Sequence, residues 1–541
     1  MSENFNLLDG IIVIAYLLAV IVIGLYNSKN RDKNVNEYFL AGRNLSWFAV
    51  GISLFATNIS SEHFIGLAGS GSMRGLAVGQ FELIAIFLLI LLGWVIAPIY
   101  KKSGILTTPE FLEKRFGSSS RKFFSGLSIF TYIITKILVT LFAGGILFNK
   151  MFGWSIFSSA IVVVLLTGFY TLVGGFYSVV KTQVFQGIIL FSAALVLTIL
   201  GLNEIGGFST LKDKLPSEYF QMFKPVDDPD FPWTGIVFGA PIIAFWYWCA
   251  DHYMVQRVLG AKSINDARNG TILTAFLKIF PIFILVLPGL IAATLFPGLK
   301  GDDAYPVLLS SEIVPSGIKG FVIAGLLAAI MSSLAASFNS IAALYTIDFY
   351  KPTHPNASER TLVFVGRMVT IAVVVGVILI APFVKIVNSQ IYIFLQSTQA
   401  YISAPISAVF LFGFTMKKTN ARAAFTALII GEFIGISRFI VEILIKSNLI
   451  SNLFLVSFVQ INYLHFTIFL FLTSALIILL LSYLPSTASE KVDEGYNWMV
   501  SLKSSELSYN KNIVESGGLK FNVLISGLIL ILTLSLWTIF I

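Results

Sequence analysis

The sequence predicts an all-α membrane protein of about fourteen transmembrane helices. Three observations predict it. Of 541 residues, 56% are hydrophobic and 12% charged, where soluble domains carry about 25% charged residues. Apolar runs of roughly 20 residues, long enough to cross a bilayer as a helix, recur along the whole chain. Lys and Arg are distributed unevenly between the loops that join those runs, as they are when basic loops stay inside.

The spans are expected at about 8–27, 46–72, 76–100, 121–149, 154–173, 178–203, 233–253, 269–297, 317–347, 361–385, 388–414, 421–445, 463–484 and 520–541. Lys29, Arg31, Lys33 and Arg43 follow the first, and Lys101, Lys102, Lys114 and Arg115 follow the third. Arg257, Lys262, Lys351, Arg360, Lys417 and Lys418 continue on that side. The opposite loops include the acidic stretch Asp227-Asp228-Pro229-Asp230. About 24 basic residues fall on one side and about 9 on the other, so both termini are expected outside. The net charge of +8 therefore belongs to topology, and the expected partner is a lipid bilayer with no nucleic acid. A lone Cys249 excludes an intrachain disulfide and a cysteine metal site. The start of the chain lacks a basic segment, so no cleavable signal is expected. The last span runs to Ile541, so no fused signalling domain is expected. The 204–232 loop should be the longest outer connection and 485–519 a charged inner one. The whole chain, 1–541, should form one polytopic membrane domain.

Ala56-Thr-Asn-Ile-Ser-Ser-Glu-His63 interrupts the second span. These polar residues are nearly consecutive and cannot share one helix face at 100° per residue. Exposing them to lipid is expensive, whereas irregular backbone is tolerated where it lines a protected cavity. The break is expected to bind a cation and a small polar solute. Five spans on, Phe245-Trp-Tyr-Trp-Cys-Ala-Asp-His252 interrupts the seventh. Two breaks at matching places in two five-span halves suggest an inverted repeat with the site at its midplane.

Polar residues inside spans nominate the site. Asn58 and His63 offer donors and acceptors suited to hydroxyls. Glu82 is an intramembrane carboxylate and therefore a functional candidate. Lys278 is about ten residues into its span, deep enough for a buried partner. Lys136 and Arg438 read as structural charge pairs or interface anchors, without solute contact. Gln396 and Gln399 stand at i and i+3 and share a face. Tyr247 and Trp248 are flat amphipathic rings that could stack on a sugar or act as a gate. Ser332 and Ser333 lie three and four residues beyond Ala329, on its face. Two hydroxyls with two or three carbonyls freed at the break make a weak, carboxylate-free alkali cation site. Nothing resembles a nucleophile–base pair or a metal cluster, so an enzyme is not expected.

Several stretches together resemble the sodium:solute symporter family, and within it the sodium/glucose cotransporters. They are Asn-Glu-Tyr-Phe-Leu-Ala-Gly-Arg at 36–43, the break at 56–66, and Tyr-Thr-Leu-Val-Gly-Gly-Phe at 170–176. Trp-Tyr-Trp-Cys-Ala-Asp at 246–251, Val-Gln-Arg at 255–257, Met-Ser-Ser-Leu at 331–334 and Thr-Ile-Asp-Phe-Tyr at 346–350 complete the set. The resemblance implies a LeuT-type fold of two inverted five-helix repeats, 46–204 and 233–414, with further C-terminal helices over 415–541. It implies sodium-driven uptake of a sugar by alternating access. By matching position, the carbonyls of Ala56, Ile59 and Ala329 and the hydroxyls of Ser332 and Ser333 would hold sodium. Asn58, His63, Glu82, Lys278 and Gln396 would meet sugar hydroxyls, with Tyr247 as inner gate and Trp248 beside it. Relatives with a second sodium carry an Asp and a Ser where this chain has Gln183 and Ala329, which implies one sodium per sugar. Leu83 and Gln399 replace a frequent Trp and Thr, and His63 and Phe81 look more like the animal sugar and inositol carriers. The remaining alternatives are a carrier of myo-inositol or of an organic acid such as sialate, and a sodium leak channel or sensor.

Overall fold

A computed structural model describes residues 5–27, 34–299, 301–380, 390–484, 495–501 and 518–541. Lys29, Arg31 and Lys33, the junction at 381–389 and most of the charged 485–519 loop lie outside those residues. The described chain is helical, with only isolated bridges at Leu45–Ala261 and Lys224–Pro232. Leu7–Tyr26 makes the first crossing, opened by a capping box between Asn6 and Asp9. Trp47–Asn58 and the helix ending at Arg74 make the second, and Gln80 to Ser103 the third. Ser118 to Phe152 is the fourth, with a wide turn at Tyr132–Leu138.

Ile156–Ile205 is one 50-residue helical run where two spans are expected. Gly175, at φ 56 and ψ −164, folds it into two crossings. A side chain there would be strained by the positive φ and would lie 2.8 Å from the Tyr38 ring, so glycine makes the bend possible. The later crossings are Gly235 to Leu259, Ile264 to Leu295, Ile318 to Thr353 and Glu359–Ile380. Ile391–Thr415, Ala421–Lys446, Tyr463–Tyr483 and Gly518–Ile539 complete the set.

Burial sorts these helices. The apolar window of the Ile318 to Thr353 run is 94% buried, against 22% for Leu7–Tyr26, 28% for Glu359–Ile380 and 17% for Lys520–Ile539. The first is the central pillar, and the other three present their apolar surface outward, toward lipid.

Both predicted breaks are present. Trp47–Asn58 stops at Ile59, whose ψ of 109 is extended, and helix resumes through the wide turn His63–Leu67. The second helix loosens through Trp246–Ala250 and breaks at Asp251, extended at ψ 121. Asp251 then caps His252–Leu259 by accepting the Tyr253 N–H. Each break gives up helical pairing that neighbouring hydroxyls restore, so it survives away from water. Gly66 lets the first broken helix lie directly on Ile391–Thr415, since a Cβ there would be 2.8 Å from the Tyr392 Cβ.

A candidate cation site beside a solute cavity

The first break ends against the central pillar. The Ser332 hydroxyl stands between two carbonyls, 2.7 Å from Ala56 O and 2.9 Å from Ala329 O. Ser333 Oγ donates to Thr57 O at 3.1 Å, and Tyr253 donates to the same carbonyl at 3.0 Å. Of the five nominated donors, Ala56, Ala329 and Ser332 are drawn into direct contact. Ser333 reaches Thr57, a carbonyl that sequence reasoning missed, and Ile59 lies two residues further, fully buried in the extended link.

These are hard, uncharged oxygens, which suit an alkali cation that must also leave. Gln183 closes one flank: its Oε1 accepts from Ser53 and its Nε2 donates to Ser332 O at 2.9 Å. No group of three or more His, Cys, Asp or Glu capable of holding a metal occurs among the described residues.

Next to these oxygens lies a cavity lined by charged, amide and aromatic side chains. All eight nominated solute residues line it: Asn58, His63, Glu82, Tyr247, Trp248, Lys278, Gln396 and Gln399. Lys278 is ion-paired to Glu82 and donates to Asn58 Oδ1 at 2.6 Å, while Asn58 Nδ2 donates to Tyr247 at 3.1 Å. His63 Nε2 is 3.8 Å from Glu82 Oε1. The Ser60 N–H donates to His63 Nδ1 at 3.4 Å, so the neutral ring carries its proton on Nε2, toward Glu82. Gln396 donates to Tyr392 at 2.8 Å, and Tyr247 and Trp248 meet edge to face at 5.2 Å. A saturated ring with several hydroxyls matches such a lining of paired charges, amides and aromatic faces.

The sodium:solute symporter family matches residues 38–431. The chain belongs to that family. It is 35% identical to sodium/glucose cotransporter 1 of Mus musculus, over 93% of this chain and 82% of that protein. It is 37% identical to the sodium/myo-inositol cotransporter of Homo sapiens, over 80% of this chain and 67% of that one. A solved structure of a substrate-bound, outward-open Na+-coupled sialic acid symporter superposes with a TM-score of 0.76 at 23% identity. The match covers 89% of this chain and 99% of that one, and shows the fold. The chain is thus a multi-pass, sodium-coupled solute symporter of LeuT-type fold, and not an enzyme.

Lys136, expected to be structural, also lines the cavity, with Nζ 4.0 Å from the Tyr247 ring centroid. The wide turn at Tyr132–Leu138 places it there, and helical periodicity in the sequence gives no sign of such a turn. Glu62, Phe81 and Tyr392 also line the cavity. Glu62 was legible as the carboxylate inside the first break, whereas Tyr392 was legible only as the residue one turn before Gln396. Arg438 is structural, its guanidinium donating to the carbonyls of Phe458, Val459 and Ile461.

Proposed function

We propose that the protein imports a neutral monosaccharide, glucose- or galactose-like, with one sodium ion by alternating access. The carrying observation is that Lys278 and Glu82 neutralise each other inside the cavity, beside amides and aromatic faces, which favours an uncharged polyhydroxyl solute. Sodium bound by Ala56, Ile59, Ala329, Ser332 and Ser333 stabilises the solute-competent form through its differential affinity for the two states. Gln183 supports one sodium per sugar: it holds an uncharged amide, already bonded at both ends, where a second ion would want an acid. The inverted repeats are 46–204 and 233–414, five crossings each, with 415–541 adding the remainder. Both termini face the outside of a plasma or bacterial inner membrane, following the basic loops.

A polyol reading has its own support, since one relative carries the name sodium/myo-inositol cotransporter. The deciding experiment is an uptake panel in liposomes: labelled glucose, galactose, mannose, myo-inositol and sialate, each driven by a sodium gradient. Accumulation of a hexose supports the proposal. Accumulation of inositol alone, or of sialate alone, replaces the solute, and uptake of none refutes it.

A further inference from the structure

Lys136 stands where the two halves of the site meet. It belongs to the wide turn Tyr132–Leu138, one turn after Tyr132, which bonds Asp251 at the second break. Its Nζ lies 4.0 Å from the centroid of the Tyr247 ring and 5.0 Å from that of Tyr253. The two rings serve different ligands. The Tyr247 hydroxyl accepts from Asn58 at 3.1 Å on the wall of the solute cavity. The Tyr253 hydroxyl donates to Thr57 O at 3.0 Å, the carbonyl that Ser333 also reaches. Thr57 and Asn58 are consecutive residues of the first break.

The ammonium is buried yet makes no close bond. Lys136 is only 4% exposed. Among the described residues it donates no hydrogen bond, and no carboxylate oxygen lies within 4.0 Å of it. Lys278, in the same cavity, is fully engaged by Glu82 and Asn58. Glu62 in the cavity wall and Asp251 at the second break attract the ammonium from opposite sides without bonding it, so it can shift between the two ring faces at little cost, and it borders the cavity proposed for the solute.

We infer that Lys136 is the coupling residue of this symporter: its ammonium transmits occupation of the Ser332–Ser333 cation site to the solute cavity. A cation arriving beside Thr57 repels the ammonium from the Tyr253 side. It moves toward Tyr247 and the cavity, where a solute oxygen accepts its hydrogen bond. Each ligand thus favours the Lys136 position the other requires, which makes the linkage positive and reciprocal. The inference rests on the cavity being the solute site, as proposed above.

The test is equilibrium binding to the full chain in lipid nanodiscs, with labelled D-glucose and labelled myo-inositol as probes and radioactive sodium for the ion. In wild type, saturating sodium should raise the affinity of the bound probe by about tenfold or more. In Lys136→Met and Lys136→Gln that factor should fall to about twofold or less, while sodium binding without solute stays within about threefold of wild type. Lys136→Arg should keep most of the factor. A wild-type coupling factor in either neutral variant overturns the inference, and so does loss of sodium binding in both. Failure of wild type to bind either probe overturns the solute reading, and the inference with it.

Discussion

Replacing Lys278 by Met strips the counter-charge from Glu82 inside the cavity. The pair is enclosed, with side-chain exposures of 1% and 3%. The same ammonium holds Asn58 Oδ1 at 2.6 Å, so one substitution removes an ion pair and a charge-assisted hydrogen bond. Removing one partner of a buried pair costs about 3–5 kcal/mol, because the other charge is left uncompensated. That is more than roughly a hundredfold in the folded-to-unfolded ratio. Pairing Lys278→Met with Glu82→Gln removes the orphaned charge, so the double variant should recover most of the lost stability. The assay is a double-mutant cycle on thermal unfolding, followed by the recovery of monodisperse protein on size exclusion. Solute binding should not recover in the double variant, since the donors and acceptors for hydroxyls stay altered. The reasoning is refuted if Lys278→Met costs less than about 1 kcal/mol, or if the double variant is no more stable than that single one.

Other outcomes follow from the same geometry. Ser333→Ala removes one hard oxygen and its bond to Thr57 O; at about 1 kcal/mol per bond, half-activation by sodium should need about fivefold more ion. Unchanged sodium activation would discard Ser333 as a ligand. Tyr247→Phe keeps the ring but removes the acceptor for Asn58, so solute affinity should drop about fivefold with the protein still folded. Equal affinity would separate Tyr247 from solute recognition. Asp302, in the loop before the Ile318 to Thr353 crossing, accepts the N–H groups of Gln390 and Ile391 and so caps the helix that carries Gln396 and Gln399. Burial pushes its pKa up to about 6, although the two N–H groups pull it down. The native state therefore binds this proton more tightly than the unfolded chain, where an Asp titrates near about 3.9. Its contribution to stability declines as pH rises from about 4 to about 6, by of order 2–3 kcal/mol, and is level above. The stability difference between wild type and Asp302→Asn should then be more favourable to wild type at pH 4.5 than at pH 7; parallel pH profiles would rule this out.

The fold was legible because a bilayer imposes a simple rule on composition and run length, and the two breaks because their polar residues cannot share a helix face. The exception is the bend at Gly175, where two expected spans join without a loop; the Gly174-Gly175 pair was its only trace. The cavity lining was legible for side chains that are costly in lipid, such as Glu82 and Lys278. Lys136 is equally costly, but its place on the cavity wall was not legible, since a local widening of the helix decides where it points. Thr57 was missed for another reason. It contributes a backbone carbonyl, and every residue has one, so only the folded packing selects which carbonyl the Ser333 and Tyr253 hydroxyls meet.

The most direct measurement is uptake of labelled hexose into proteoliposomes under imposed sodium gradients and potentials. One sodium charge moving inward with each neutral solute adds about 2.3 kcal/mol per 100 mV, or about fiftyfold in the limiting accumulation ratio. Accumulation that requires sodium and steepens by that factor with an inside-negative potential is the expected result. Equal accumulation in potassium, or a sodium current indifferent to solute, would contradict it.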